Sequence, residues 1–285
     1  CPPRVGVRAQ GASGGVAVLA GCLPHRGGSG SVVTPAELDA RAMLEESLKA
    51  YVLLNVEPEQ DCIDPAQARR ALDSASFVVC MTPFVSAAMR EYANVLLPTA
   101  PFTETSGTFV NASGRWQRFA AACAPHADTR PGWKVLRVLG NLCDLSGFEY
   151  LSSEEVRAEV ERESNAVVLD NQLDWQCPAG LGNSKELIRI GDMPIYGIDN
   201  IVRRATALQG TIHAATESAA MNAATAEQLG VRDAARIVLS QGEDETAVEL
   251  IIDEHVPNNC VMLAASTAAS SQLGAPYQAV TITKD

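Results

Sequence analysis

Three prolines preceded by Thr or Asp punctuate the first hundred residues, and the runs between them constrain the fold more than any other feature. Thr34-Pro35, Asp64-Pro65 and Thr82-Pro83 each set a capping oxygen directly before a proline. That pairing starts a helix, because proline already has the helical φ and the first helical N–H needs no partner. Thr34 and Glu37 also have capping-box spacing. Short apolar runs lie between these starts, at Tyr51–Val56, Phe77–Met81 and Val95–Leu97. The predicted order is helix 35–47, strand 50–56, helix 65–74, strand 76–81, helix 83–92 and strand 94–97. Near-continuous apolar strands alternating with helices define an α/β fold, a doubly wound parallel sheet layer covered on both faces. Ligands in such sheets bind beyond the C-terminal strand ends, here at Glu57–Asp61, Thr82 and Pro98–Gly107.

The second half has a different texture. Residues 131–145 predict a helix opened by Pro131, with Trp133, Leu136, Leu139, Leu142 and Cys143 on one apolar stripe. Ser152 and Glu155 form a capping box for a charged helix reaching about Glu163. Residues 165–205, broken by Pro178, Gly180, Gly182 and Gly191, predict a connection. Beyond Thr206, a helix from Asn222 to Leu229 stops at Gly230. Short β runs then follow at Arg236–Ser240, Thr246–Ile252, Cys260–Ala264 and Ala279–Thr283. The Gln241-Gly242-Glu243-Asp244 turn suits a hairpin. Together these predict a small C-terminal β-barrel. The expected division is an α/β domain over 1–164, a connection over 165–205 and a barrel over 206–285.

Composition narrows the partners. With 22 basic and 34 acidic side chains the net charge is −12, which excludes nucleic acid and anionic membrane surfaces as partners, since phosphate binding needs clustered cations. Residues 256–283 carry no charge, but Pro257, Gly274 and Pro276 interrupt them, so no direct membrane insertion is expected. No Gly-x-Gly-x-x-Gly or Walker-type loop occurs, and the Glu57–Asp61 loop holds three carboxylates and no cation. The eight cysteines are nowhere closer than 18 residues, without the short spacings of zinc or iron–sulfur ligands. They are expected to be reduced, buried thiols, Cys80 and Cys260 among them. Leu19-Ala-Gly-Cys22 has the shape of a lipoprotein box, but the apolar run before it, Val16–Leu19, is too short for a secretory segment. Opening on Cys1 and not Met, the chain is expected to be a fragment or a processed piece.

The most specific segment is Tyr92-Ala-Asn-Val-Leu-Leu-Pro98, continued by Glu104-Thr-Ser-Gly-Thr-Phe-Val-Asn-Ala-Ser-Gly-Arg-Trp-Gln117. It resembles the A-D-V-V-L-P and E-x-x-G-T-x-x-N-x-E-G-R-x-Q signature of the molybdopterin oxidoreductase superfamily. With Arg130-Pro-Gly-Trp-Lys-Val-Leu-Arg-Val-Leu-Gly140, it is similar to the large iron–sulfur (G) subunit family of NADH:quinone oxidoreductase, respiratory complex I. Leu23-Pro-His25, Tyr51–Glu59 and Val202–Gln209 extend the likeness, which covers most of the chain and corresponds to that subunit's C-terminal part. Asn94 stands where Asp is usual, Ser113 where Glu is, and Ala234-Ala235 in place of a Gly-containing turn.

The resemblance implies a structural and docking portion of a peripheral-arm subunit, passing electrons from NADH to quinone only as part of the complex. The chain alone would be non-catalytic and hold no cofactor. The 4Fe-4S and 2Fe-2S clusters would sit elsewhere in the full subunit. Partners would be other hydrophilic-arm subunits, at the cytoplasmic side of the inner membrane. The alternative is a fragment of a molybdopterin-dependent, formate dehydrogenase-like oxidoreductase whose 98–117 loop touches a pterin. A vestigial cofactor groove is placed at Glu104, Thr108, Asn111 and Arg115, with a Glu104–Arg115 ion pair as the structural reading of two of them. No catalytic or metal-binding residue is expected. His126 near Asp128 lacks a nucleophile beside it, and Asn111-Ala-Ser113 is a glycosylation sequon in form only.

Overall fold

A computed structural model describes residues 19–22, 24, 38–111, 113–165 and 186–285. Thr34, Glu37, the Leu23 and His25 positions, and Cys1 and Cys177 lie outside the described residues, as do residues 166–185 of the expected connection. The first helix is described only as α1, Ala40–Glu45, where Asp39 Oδ1 accepts from the Ala42 N–H at 2.8 Å.

The predicted alternation is present. Strands β1 (Ala50–Leu54), β2 (Phe77–Thr82) and β3 (Val95–Pro98) form a three-stranded parallel sheet in that order. Helix α3 (Pro65–Ser74) joins the first two, and the Asp64 side chain accepts from the Gln67 N–H at 2.9 Å. Double covering holds for the middle strand, where Val78, Cys80 and Met81 are fully buried. It fails at β1, whose burial alternates and whose Val52 is 64% exposed.

Two expectations in this region are corrected. The Glu57–Asp61 segment is a single helical turn, α2 (Pro58–Asp61), and not an open loop. The helix expected over 83–92 shrinks to α4, Met89–Tyr92. Thr82 stays strand-like, its carbonyl accepting from Thr99 N–H at 3.2 Å. The turn starts later, where Ser86 Oγ accepts from the Met89 N–H. The proline step therefore ends a strand without opening a helix.

The chain divides into two compact units, so far as each is described. One takes Cys1–Met43, Met81–Pro83 and Leu96–Leu181; the other takes Leu44–Cys80, Phe84–Val95 and Gly182–Asp285. The first unit contains the hairpin β4 (Gly107–Val110) and β5 (Trp116–Phe119), followed by α5 (Gly132–Leu142) and α6 (Ser153–Ser164). Ser152 caps the helix as predicted, its Oγ accepting from the Glu155 N–H, but Glu155 Oε2 accepts from the Leu151 N–H at 2.7 Å and not from the Ser152 N–H that a capping box would use. The apolar stripe of α5 is not buried; Leu136 and Leu142 are 39% and 75% exposed.

The second unit contains two buried clusters, one around Leu72, Val78 and Met89 and one around Met221, Ile237, Leu239 and Leu263. Six strands form one curled sheet: β6 (Ile188–Ile190), β7 (Ala219–Met221), β8 (Arg236–Gln241), β9 (Asp244–Ile252), β10 (Cys260–Met262) and β11 (Thr281–Lys284). Their order is β11-β8-β9-β7-β10-β6. The segment ahead of β11 also bonds beside β6, with Arg189 N–H to Gln278 O at 3.0 Å and Val280 N–H to Leu187 O at 2.9 Å. The hairpin turn is as read, Gln241 pairing with Asp244 across Gly242 at φ 66°, a fit to the right-handed strand twist. Between β7 and β8 lies α7 (Ala223–Gln228), capped by Asn222 and followed by Gly230 at φ 70°.

Candidate functional site

The signature segment 98–117 is a loop and a hairpin whose motif residues hold themselves in place. Asn111 Oδ1 accepts from the Ser113 N–H, the Ser113 hydroxyl and the Arg115 N–H at 3.1, 2.8 and 2.9 Å. Gly114 takes φ 77° and donates to the Asn111 carbonyl. One amide oxygen thus satisfies a whole turn, which is why Asn and Gly stand three apart here. Gly107 has a different reason: a Cβ there would lie 2.7 Å from Phe119 Cζ. The Phe119 ring instead stacks on Phe109 at 4.6 Å. Close approach, and not an unusual backbone angle, requires this glycine.

Glu104 does not pair with Arg115. Its Oε2 accepts from the His126 N–H at 2.8 Å, and Arg115 is exposed. The loop is tied down further by Ala122 N–H to Thr103 O and by Ala100 N–H to Arg130 O, both 2.8 Å. Asn94, in the position where Asp is usual, anchors the start of β2, its Oδ1 accepting from the Val78 N–H at 2.6 Å.

These ties shape an open cavity of about 510 Å³ within the first unit. Glu104, Ser106, Arg130, Trp133, Lys134 and Ser153 are among its lining residues. Of the four groove positions read from the sequence, only Glu104 lines it. Thr108 lies in the hairpin opposite Arg118, and Asn111 and Arg115 belong to the turn. Arg130, Lys134 and Ser153 escaped sequence reasoning, although Pro131 and Ser152 place them at two helix starts. Ser106 Oγ and Ser153 Oγ are 2.8 Å apart, Arg130 donates to the Thr129 carbonyl, and Lys134 Nζ sits 5.4 Å from the Trp133 ring centre. The Trp133 Nε1 is buried with no partner. Glu104 and Glu154 balance Arg130 and Lys134 on the lining, so the cavity offers no net positive charge to a phosphate-bearing ligand.

The carboxylates of the other expected ligand loop are consumed internally, in the second unit. Glu57 is 2% exposed. Its Oε2 accepts from Arg203 at 3.2 Å and its Oε1 from Arg204 at 2.8 Å, while Arg203 also pairs with Asp61. The Arg204 guanidinium lies 4.5 Å from the Phe84 ring centre. Glu59 accepts from the Ser86 and Tyr92 hydroxyls. Burial pushes the Tyr92 hydroxyl well above its ordinary range, with the Glu59 charge acting in the same sense. Burial likewise pushes the Cys62 and Cys80 thiols up to about 11. Cys80 is buried and Cys62 and Cys260 are half-buried, but Cys22, Cys123 and Cys143 are exposed, and all six are free. The expectation of buried thiols therefore fails at three positions. Among the described residues, no three His, Cys, Asp or Glu side chains converge as a metal site.

The sequence profile of the molybdopterin oxidoreductase family matches residues 14–142. The G subunit of the NADH-quinone oxidoreductase of Streptomyces coelicolor is 32% identical over 257 residues, 87% of this chain and 29% of that protein. The NADPH-Fe(3+) oxidoreductase subunit alpha of Geobacter sulfurreducens is 34% identical over 95 residues, 33% of this chain and 11% of that one. The fold is similar to acetylene hydratase from Pelobacter acetylenicus, with a TM-score of 0.57 at 13% identity over 92% of this chain and 44% of that chain. The chain thus spans less than a third of the length of the curated relatives named here. By these comparisons residues 14–142 are similar to the molybdopterin oxidoreductase family, and similarity to the G subunit of NADH-quinone oxidoreductase extends along most of the chain.

Proposed function

We propose that this chain is the structural and docking portion of a peripheral-arm subunit of an NADH:quinone oxidoreductase. In this reading electrons pass from NADH to quinone through 4Fe-4S and 2Fe-2S clusters held elsewhere in the full subunit, and the partners are other hydrophilic-arm subunits. The assembly lies at the cytoplasmic side of the inner membrane. Its curled sheet corresponds to the superfamily's small C-terminal barrel. The three-part division at 164 and 206 is likewise a proposal, which limited proteolysis tests by whether the first cut falls within 165–205.

The observation behind the docking role is the exposure of large apolar side chains in the first unit. Leu142, Leu145 and Leu151 are 75%, 53% and 77% exposed, and a partner that covered them would gain the free energy of burying apolar surface. No described helix is long and apolar enough to cross a membrane, which fits a peripheral position. Among the described residues no donor set suits a cluster, and the cavity beside Trp133 offers a phosphate-tailed pterin no net positive charge, so in this reading the electron path takes no step through them.

The test places Leu142→Glu and Leu151→Glu together in the full-length subunit and follows assembly by native electrophoresis and NADH:quinone activity. Reduced assembly with an unchanged melting temperature of the subunit is expected; normal assembly would overturn the docking role. NADH-dependent dye reduction by the isolated chain would overturn its non-catalytic status. The family profile match favours one second reading, a molybdopterin-dependent, formate dehydrogenase-like enzyme with a pterin against 98–117. Molybdenum and pterin analysis of the full-length protein separates the two readings.

A further inference from the structure

We draw no further inference here: the strongest candidate, the cavity of the first unit lined by Trp133 and Lys134 at the start of α5 and by Ser153 at the start of α6, belongs to the site already described.

Discussion

Replacing Glu57 by Gln tests whether the acidic segment after β1 is part of the fold's framework and not a ligand loop. Glu57 is 2% exposed, and its two oxygens serve different arginines at 3.2 and 2.8 Å. Glutamine keeps the shape but presents N–H groups to one of the two cations. Removing one member of a buried ion pair costs about 3–5 kcal/mol, because the remaining charge is left desolvated. Arg203 retains Asp61 and Arg204 is one-third exposed, so the lower end applies, about 3 kcal/mol. In a unit of this size that lowers the melting temperature by about 6–12 °C. Urea unfolding followed by circular dichroism reads the loss directly as a shifted midpoint with an unchanged slope. A loss below about 1 kcal/mol would refute the reasoning, since an exposed pair has that worth. Glu57→Met with Arg203→Met and Asp61→Ala should recover part of the loss, because apolar groups of similar volume remove the desolvation cost.

Other perturbations probe separate features. Asn111→Ala deletes the acceptor of three hydrogen bonds in the 111–115 turn and should cost about 1–2 kcal/mol; an unchanged thermal melt would count against that role. Gly191→Ala drives a Cβ onto the Leu263 carbonyl oxygen between β6 and β10, so that variant should melt well below the parent, by about 1–3 kcal/mol or more, and a melt at the parent temperature would refute the packing. At pH 8, exposed Cys22, Cys123 and Cys143 should react with a thiol reagent well before Cys62 and Cys80, whose folded-state values near 11 keep them protonated; equal rates would contradict the burial. The same two thiols are raised from an ordinary 9.0, so their contribution to stability is complete below about pH 9 and is lost as pH rises toward 11. Replacing both by alanine should flatten that decline in urea midpoints.

What was legible in the sequence is what local chemistry dictates. Asp64-Pro65, Ser152 with Glu155, and Asn222 with Gly230 mark helix ends because their side chains or φ angles act on the neighbouring few residues, and all three appear as read. The runs Phe77–Met81 and Arg236–Ser240 became strands with Val78, Cys80, Met81, Ile237 and Leu239 buried. The hydrophobic stripe of α5 was equally legible as a stripe, but periodicity says which side chains share a face and not whether anything covers it.

Tertiary structure decided the rest. Ala219–Met221 has no β-branched residue and Ile188–Ile190 is only three residues long; pairing with β9 and β10 makes them strands. Thr82-Pro83 lost its helix to a strand hydrogen bond from Thr99, 17 residues on. Glu104 found a backbone donor at His126 in place of the Arg115 side chain. The partners of Glu57 lie 146 and 147 residues away. Charge alone could not single them out, because a carboxylate's worth depends on burial, and burial exists only once distant segments have met.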